Sequence, residues 1–383
     1  MLAPPSAHYT SELQDFRDTV RRFVQREIAP QADAWDEAEE FPRQLYGAAA
    51  RAGLFGIGYP EPLGGAGKSE LDPFLRLILF EEMAWCGAGG IVASLFSHTI
   101  GAPPLLHAGA ELQARVLPAI LAGDKISALA VTEPGGGSDV ANLRTTARRE
   151  GEHYIVNGGK LFITSGMRAD YYTVAVRSGG PGAAGVSLLL IERDRPGFSR
   201  TPLRKMGWWA SDTAELHFAD CRVPTANLIG EEGKGFALIM RNFNNERLGL
   251  AASSCGAAQV CLHDALAWAQ QRELFGQKLS EHQVTRHKLV DMASRIEATR
   301  AWLDDLAARL VRGESPVAQI AMAKNFATGT MQFCADAAVQ ILGGMGFMRG
   351  TRVERIYREV KVMMIGGGAD EVMKDLAARQ LNL

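Results

Sequence analysis

The apolar residues of this chain change their period twice, and few folds accommodate that. From Ser11 to about Gly123 the pattern is helical: Phe16, Val20, Phe23, Val24 and Ile28 fall on one stripe of a 3.6-residue repeat. Pro30 should end or bend that helix, because it has no N–H and its ring crowds the preceding turn. Further helices are expected over 42–54, 72–85 and 111–121, between turns rich in proline and glycine. Near Ile126 the texture becomes strand-like, with short apolar segments over 126–132, 143–149, 171–177 and 186–191. Ala214, Leu216 and Phe218 alternate with polar neighbours as a half-buried strand does, and Tyr154-Ile155-Val156 followed by Asn157-Gly158 reads as a hairpin. After the turns at 230–235 the helical period returns over 236–272, 279–311 and 317–342, each long enough for a bundle helix. The order is α, β, α. Without strand–helix alternation there is no parallel Rossmann sheet, so the prediction is an α+β multidomain chain with helical parts at 1–123 and 233–383 flanking an all-β part at 124–232.

Composition narrows the function. Of 383 residues, 47% are hydrophobic and 22% charged, and the formal net charge of −2 leaves no basic surplus to meet a phosphate backbone or an anionic membrane. Neither nucleic acid nor membrane is expected as a partner. Five scattered cysteines contain no CxxC pair and eight histidines no HExxH, so neither a disulfide framework nor a metal site is expected. No apolar run approaches the ~18 residues that span a bilayer, and the N-terminus lacks a basic or hydrophobic targeting pattern, so the expected location is cytoplasmic. Glycine is in excess, 41 of 383 residues. It clusters at 64–67, 135–137, 343–346 and 366–368, which suggests backbone placed for specific purposes.

Several of these clusters carry chemistry. Pro62 to Ser69 approaches a phosphate loop, but GxxxxGK[ST] requires glycine where Pro62 stands. Val131-Thr-Glu-Pro-Gly-Gly-Gly-Ser-Asp139 follows a strand and exposes backbone N–H groups suited to a pyrophosphate; the same residues also make a plain glycine turn. Phe162-Ile-Thr-Ser165 puts an aromatic ring and two hydroxyls at a strand end, where they can meet a planar heterocycle. Arg272-Glu-Leu-Phe-Gly276 offers a guanidinium to phosphate, or a helix C-terminus capped by Gly276. Gln340 to Gly346 brings backbone close to a ligand, or terminates a helix.

Taken in order, VTEPGGGSD, FITSG, RELFGQKLSEHQ, QILGGMGF, YREVK and the glycines after it resemble the acyl-CoA dehydrogenase family over nearly the whole chain. The resemblance implies an N-terminal helical domain, a middle β-barrel and a C-terminal four-helix bundle, in a homotetramer (a dimer of dimers) with one FAD per subunit. It implies that Thr132 and Thr164 hydrogen-bond the isoalloxazine, that Gly137 and Ser138 meet the pyrophosphate, and that Phe162 lies against the ring. Arg272, Phe275, Gln340 and Gly344 would hold the FAD of a neighbouring subunit. Asn142 and Gly350 depart from the family pattern, which usually has a small residue and an acidic one there.

The implied reaction takes an α-proton and a β-hydride from an acyl-CoA thioester, and needs a carboxylate near the α-carbon. In many members a glutamate supplies it shortly after the YREVK segment; here Gly367 stands in that place. The long-chain and isovaleryl-type branch instead carries a Glu-Arg pair on the first bundle helix, matched by Glu246-Arg247. The spacing of Phe236, Ile239, Met240 and Phe243 continues through 246 and 247 to Leu250, so a carboxylate falls on the buried stripe, where desolvation raises its pKa. A structural ion pair would place it there too; the glycine at 367 selects Glu246 as the base. Glu371 is a fallback whose family counterpart contacts FAD. Asn244, Arg247 and the Gly367 N–H are assigned to the substrate. The predicted outcome is a trans-2-enoyl-CoA, with electrons passed to an electron-transferring flavoprotein. Alternatives are a carrier-protein-bound acyl or aminoacyl thioester as substrate, or a non-catalytic flavin- or acyl-CoA-binding member.

Overall fold

The computed structural model describes residues 8–67 and 72–383. Lys68 and Ser69 of the near-phosphate-loop segment, and the first seven residues, lie outside the described residues.

Seven helices come first: α1 (Ser11–Phe23), α2 (Ala32–Glu37), α3 (Gln44–Arg51), α4 (Pro73–Met83), α5 (Gly89–Leu95), α6 (His98–Gly101) and α7 (Ala110–Leu121). Pro30 does not end the first helix abruptly; α1 widens into a π-helical turn over Val24–Ile28 and a 3-10 turn over Ala29–Gln31 before α2. The wider turn keeps Val24 and Ile28 buried although Pro30 has no N–H to give. At α4 the Asp72 carboxylate accepts the Phe74 N–H at 2.8 Å, and Pro73 occupies the first helical position.

The β part has eight strands: β1 (Ser127–Ala130), β2 (Thr146–Glu150), β3 (His153–Thr164), β4 (Tyr171–Arg177), β5 (Val186–Glu192), β6 (Phe198–Pro202), β7 (Thr213–Pro224) and β8 (Leu228–Ile229). They form one mixed sheet in the order β6-β7-β3-β2-β4-β5-β8, with β1 parallel to β4. Strand β5 is buried on both faces, which explains its unbroken apolar run: Leu189 and Ile191 belong to the core that also holds residues of α1, α3 and α5, while Leu188 and Leu190 belong to the one that holds residues of α7. Strand β7 alternates, with Ala214, Leu216 and Phe218 inside.

The expected hairpin at Asn157-Gly158 is not a turn. Both residues lie inside β3, where the register to β7 shifts between Val156 and Gly158, and the chain reverses earlier, at Gly151 (φ +58). A Cβ on Gly158 would stand 2.8 Å from the Thr145 Cα, so the glycine serves a close strand crossing; Asn157 exchanges hydrogen bonds with Asp220.

Last come α8 (Gly235–Gln271), a two-residue hairpin of β9 (Glu273–Leu274) and β10 (Gln277–Lys278), then α9 (Gln283–Val311), α10 (Val317–Leu342), α11 (Gly344–Phe347), α12 (Arg352–Ile365) and α13 (Asp370–Leu381). The long helices share one core with α4, built from Phe74, Leu77, Leu248, Ala252, Ile296, Leu303, Ala327, Met331 and Ile356. Many small residues on α8 and α10 let the backbones approach, as at Gly256, where a Cβ would meet the Glu81 carbonyl at 2.4 Å. No described helix is long and apolar enough to cross a membrane.

Candidate active site

A cavity of about 130 Å³ opens where the three parts meet. Helix α4 contributes Arg76 and Phe80, the 3-10 turn after it Ala84, α5 contributes Val92 and Ala93, and α8 contributes Glu246, Gly249, Leu250, Ser253 and Ala257. Thr164 closes one side from the end of β3, and Trp208, Met331, Ile356, Glu359 and Met363 complete the wall. The apolar lining holds few polar groups, the usual constitution of a small-molecule site.

Glu246 is half-buried on the cavity face of α8. Desolvation pushes its carboxyl up to about 7, against the pull of the Arg247 and Lys324 cations. Its neighbour Arg247 is buried and faces elsewhere: Nε donates to the Gly367 carbonyl at 3.0 Å and Nη1 to Asn244 Oδ1 at 2.9 Å. Lys324 from α10 is fully buried and donates to the carbonyls of Met364 (3.2 Å) and Gly368 (2.8 Å). Two cations therefore hold the backbone of 364–368 from beneath. Gly367 has φ +66, and a Cβ there would lie 3.9 Å from Glu246 Oε1 and 2.6 Å from Leu250 Cδ1. The structure thus brings Glu246, Asn244, Arg247 and Gly367 together, and it joins Thr164 to the same cavity.

The glycine-rich loop sits beside the end of β3. The Leu161 N–H donates to the Thr132 carbonyl at 2.8 Å, and fully buried Lys160 reaches both the Val131 carbonyl (3.1 Å) and Glu133 Oε1 (2.7 Å). Glu133 in turn accepts from the Arg144 and Thr145 N–H groups. Burial pulls Lys160 down to about 8, while Lys160 holds Glu133 below the ordinary carboxylate range. With its base pinned, the loop presents open backbone: a Cβ on Gly135 or Gly136 would meet nothing within 4 Å, and Gly137 approaches only Thr132. Ser138 is exposed and Thr132 half-buried. Asn142, the departure from the family pattern, folds its amide onto Asp139 Oδ2 at 2.6 Å. Phe162 adopts φ +61 at a register shift of β3 and is 66% exposed. A bulky residue held in that conformation with its ring in the open is strained in the manner of functional positions.

The remaining candidates lie away from this cavity. Gly276 is not a helix cap: α8 ends at Gln271, and Phe275 (φ +51) and Gly276 (φ +82) form the turn of the β9–β10 hairpin, which leaves Phe275 90% exposed. Arg272 and Gln340 are exposed, α10 ends at Leu342, and Gly343 and Gly344 have open space around them. Gly350 (φ +93) is exposed, and Glu371 is exposed in the first turn of α13. Arg272 stands 26 residues beyond Glu246, roughly 40 Å along the axis of α8.

Sequence reasoning missed Lys160, Lys324, Trp208, Glu359 and Arg76. Glu359 carried a signal, a carboxylate inside the YREVK segment, and it caps α5 by accepting the Gly89 N–H at 2.8 Å and the Gly90 N–H at 3.3 Å. Burial pushes its carboxyl up to about 7. Lys160 and Lys324 bond to groups distant in sequence, and Trp208 and Arg76 line the cavity, which one sequence does not disclose.

The helical parts and the mixed sheet thus enclose an apolar cavity with a desolvated carboxylate on its wall, beside an open glycine loop. Comparison with known proteins gives the family. The acyl-CoA dehydrogenase N-terminal, middle and C-terminal domain patterns match residues 10–124, 128–221 and 233–382. An acyl-CoA dehydrogenase of Bacillus subtilis (strain 168) is 38% identical over 377 residues, covering 98% of this chain and 99% of that one. The crystal structure of a putative acyl-CoA dehydrogenase from Mycobacterium smegmatis superposes with a TM-score of 0.94 at 45% identity, covering 97% and 98% of the two chains. A glutaryl-CoA dehydrogenase from the same organism, solved in complex with FADH2, matches with a TM-score of 0.90 at 26% identity over 97% and 95%. The chain belongs to the acyl-CoA dehydrogenase family, an FAD-dependent family, and is an acyl-CoA dehydrogenase.

Proposed function

We propose that this enzyme converts an acyl-CoA thioester to the trans-2-enoyl-CoA with Glu246 as the base that removes the α-proton. The observation that carries the reading is the Glu246 carboxylate on the cavity wall, 3.9 Å from the Cβ position of a glycine whose own side chain can supply no base. A carboxyl raised to about 7 is a stronger base than an exposed one and is still ionised in half or more of the molecules at pH 7 and above. Gly367 contributes its N–H to the thioester carbonyl oxygen, where negative charge develops as the α-proton leaves. Arg247 and Lys324, by holding the carbonyls of 364–368, keep that N–H aimed. Asn244 steadies Arg247.

The open Gly135 to Gly137 backbone, the Thr132 and Thr164 hydroxyls, Ser138 and the exposed Phe162 ring fit FAD, which when bound supplies the acceptor for the β-hydride and the outlet of its electrons to an electron-transferring flavoprotein. Arg272 and Phe275 are too far along the bundle to serve the same site from the same chain, as the separation of roughly 40 Å between Arg272 and Glu246 indicates, and Gln340 and Gly344 are grouped with them. They serve the FAD of a second copy, in a homotetramer built as a dimer of dimers. The exposed Phe275, Phe347, Met345 and Met348 support that contact. Glu371, at the start of α13, contributes on the FAD side. We assign these roles to domains spanning 1–123, 124–232 and 233–383.

Glu246→Gln tests the base. The variant should bind FAD normally yet bleach it with acyl-CoA at least a hundred-fold more slowly. Bleaching at the unmodified rate removes Glu246 from the mechanism.

A further inference from the structure

One group in the cavity has no role in the chemistry above. Arg76 lies on the cavity face of α4, one turn before Phe80 and two before Ala84, and is 8% exposed. Among the described residues its guanidinium has no hydrogen bond and no ion pair. Only the Tyr59 phenol acts on it electrostatically, and Tyr59 gives its own hydrogen bond to the His98 carbonyl. Burial pulls Arg76 down to about 10, so it remains a cation at neutral pH. Neither cavity carboxylate forms an ion pair with it among the described residues, and Glu359 accepts two N–H groups of α5.

An unpaired cation among Phe80, Phe96, Ile100 and Leu250 is costly to hold unless something anionic meets it. A purely hydrocarbon chain entering this cavity would leave the guanidinium without a partner and strip it of water. We propose that Arg76 determines specificity by pairing with a carboxylate on the acyl group, so that the preferred substrates are ω-carboxyacyl-CoA thioesters, half-thioesters of dicarboxylic acids. The inference rests on the dehydrogenase reading above and adds the substrate class. The guanidinium fork binds a carboxylate through two parallel N–H···O bonds, which fixes the chain's depth as well as its charge. Depth in turn sets which carbon faces Glu246.

The test compares holoenzyme turnover on succinyl-, adipoyl- and suberoyl-CoA with that on butyryl-, hexanoyl- and octanoyl-CoA and on the monomethyl ester of the best diacid thioester. Wild type should favour one carboxylated thioester over its neutral partner by about tenfold or more in kcat/KM, and the methyl ester should lose that preference. Arg76→Met, which removes a buried charge at similar volume, should lower kcat/KM on the carboxylated substrate by about a hundred-fold, chiefly through KM. It should leave neutral substrates equal or improved, and Arg76→Lys should recover part of the loss. A merely structural role for Arg76 would lower all substrates together. A wild-type preference for the neutral thioester at every length, or an unchanged ratio in Arg76→Met, overturns the assignment. Should neither series reduce the flavin, the dehydrogenase reading is what fails. The Arg76 pairing is then decided by thermal shift: adipoyl-CoA raises the Tm of wild type above hexanoyl-CoA only if the pairing is real, and equal shifts refute it.

Discussion

Glu246→Gln should make the protein more stable, by an amount that grows from nothing near pH 4.5 to its full value above pH 7. The Glu246 carboxyl moves from 4.5 to about 7 on folding, mainly by desolvation. Below pH 4.5 the group is protonated in both states and the stability associated with its raised pKa is fully present. Between 4.5 and 7 the unfolded chain has released its proton while the folded chain keeps it, so stability falls as pH rises. Above 7 both forms are ionised and the whole cost of burying the charge is felt, about 3 kcal/mol at ~1.36 kcal/mol per pH unit. Glutamine has no charge to bury. Across 383 residues, at about 2.1 cal/mol/K per residue, that energy corresponds to a gain of about 4 °C in Tm at pH 8 that shrinks to nothing near pH 4.5. Scanning calorimetry of both proteins between pH 4.5 and 8.5, with FAD held in equal excess, gives the difference directly. A gain that does not depend on pH, or a variant less stable than wild type at pH 8, refutes the assignment of the shift to Glu246. The same titration governs catalysis with the opposite benefit: kcat/KM should climb tenfold per pH unit below 7 and level off above it.

Other perturbations separate the parts of the site. Lys324→Met removes both bonds that hold the carbonyls of Met364 and Gly368, and should lower kcat at least tenfold with FAD content unchanged, read by flavin absorbance against turnover. Lys160→Met strands the Glu133 carboxylate beneath the glycine loop; a loss of about 3 kcal/mol in denaturant unfolding and a lower bound-FAD fraction are expected, and an unaltered protein would show that the pair does not pin the loop. Gly158→Ala forces a Cβ to 2.8 Å from the Thr145 backbone at φ +136 and should cost about 2 kcal/mol without altering KM. Phe275→Ser should weaken assembly, seen as dissociation on sedimentation at low protein concentration, because a 90% exposed ring is lost from the surface proposed to meet a second copy.

The long elements were legible because their signal is periodic and needs no partner. The helix expected over 317–342 is α10 residue for residue, and those over 236–272 and 279–311 differ from α8 and α9 only at their ends. Glu246 was legible for the same reason, since a helical stripe carries its neighbours into the core whatever they are. Asn157-Gly158 misled because positive φ is needed both in a tight turn and in a bulge; what decides between them is the Thr145 backbone, which arrives from another strand. Gly276 misled similarly, its positive φ belonging to the β9–β10 turn. Lys324 left no pattern at all, because its acceptors are backbone carbonyls some forty residues on, and any sequence there would present them.

Gly367 gains a meaning beyond the absence of a glutamate. A side chain at that position would begin 2.6 Å from the Leu250 side chain and point into the space beside Glu246 Oε1. A carboxylate there would share one desolvated volume with Glu246, and two like charges in such a site cannot both ionise near neutral pH. One of the two would keep its proton, so Glu246 would be the ionised base in only part of the molecules. The left-handed φ of +66 also suits glycine and strains every other residue except asparagine and aspartate. Glycine at 367 therefore suits the role proposed for Glu246: it leaves the volume open, keeps a backbone N–H for the carbonyl that the proposal has polarised there, and lets Arg247 and Lys324 grip the loop by its carbonyls without an ion pair to Glu246.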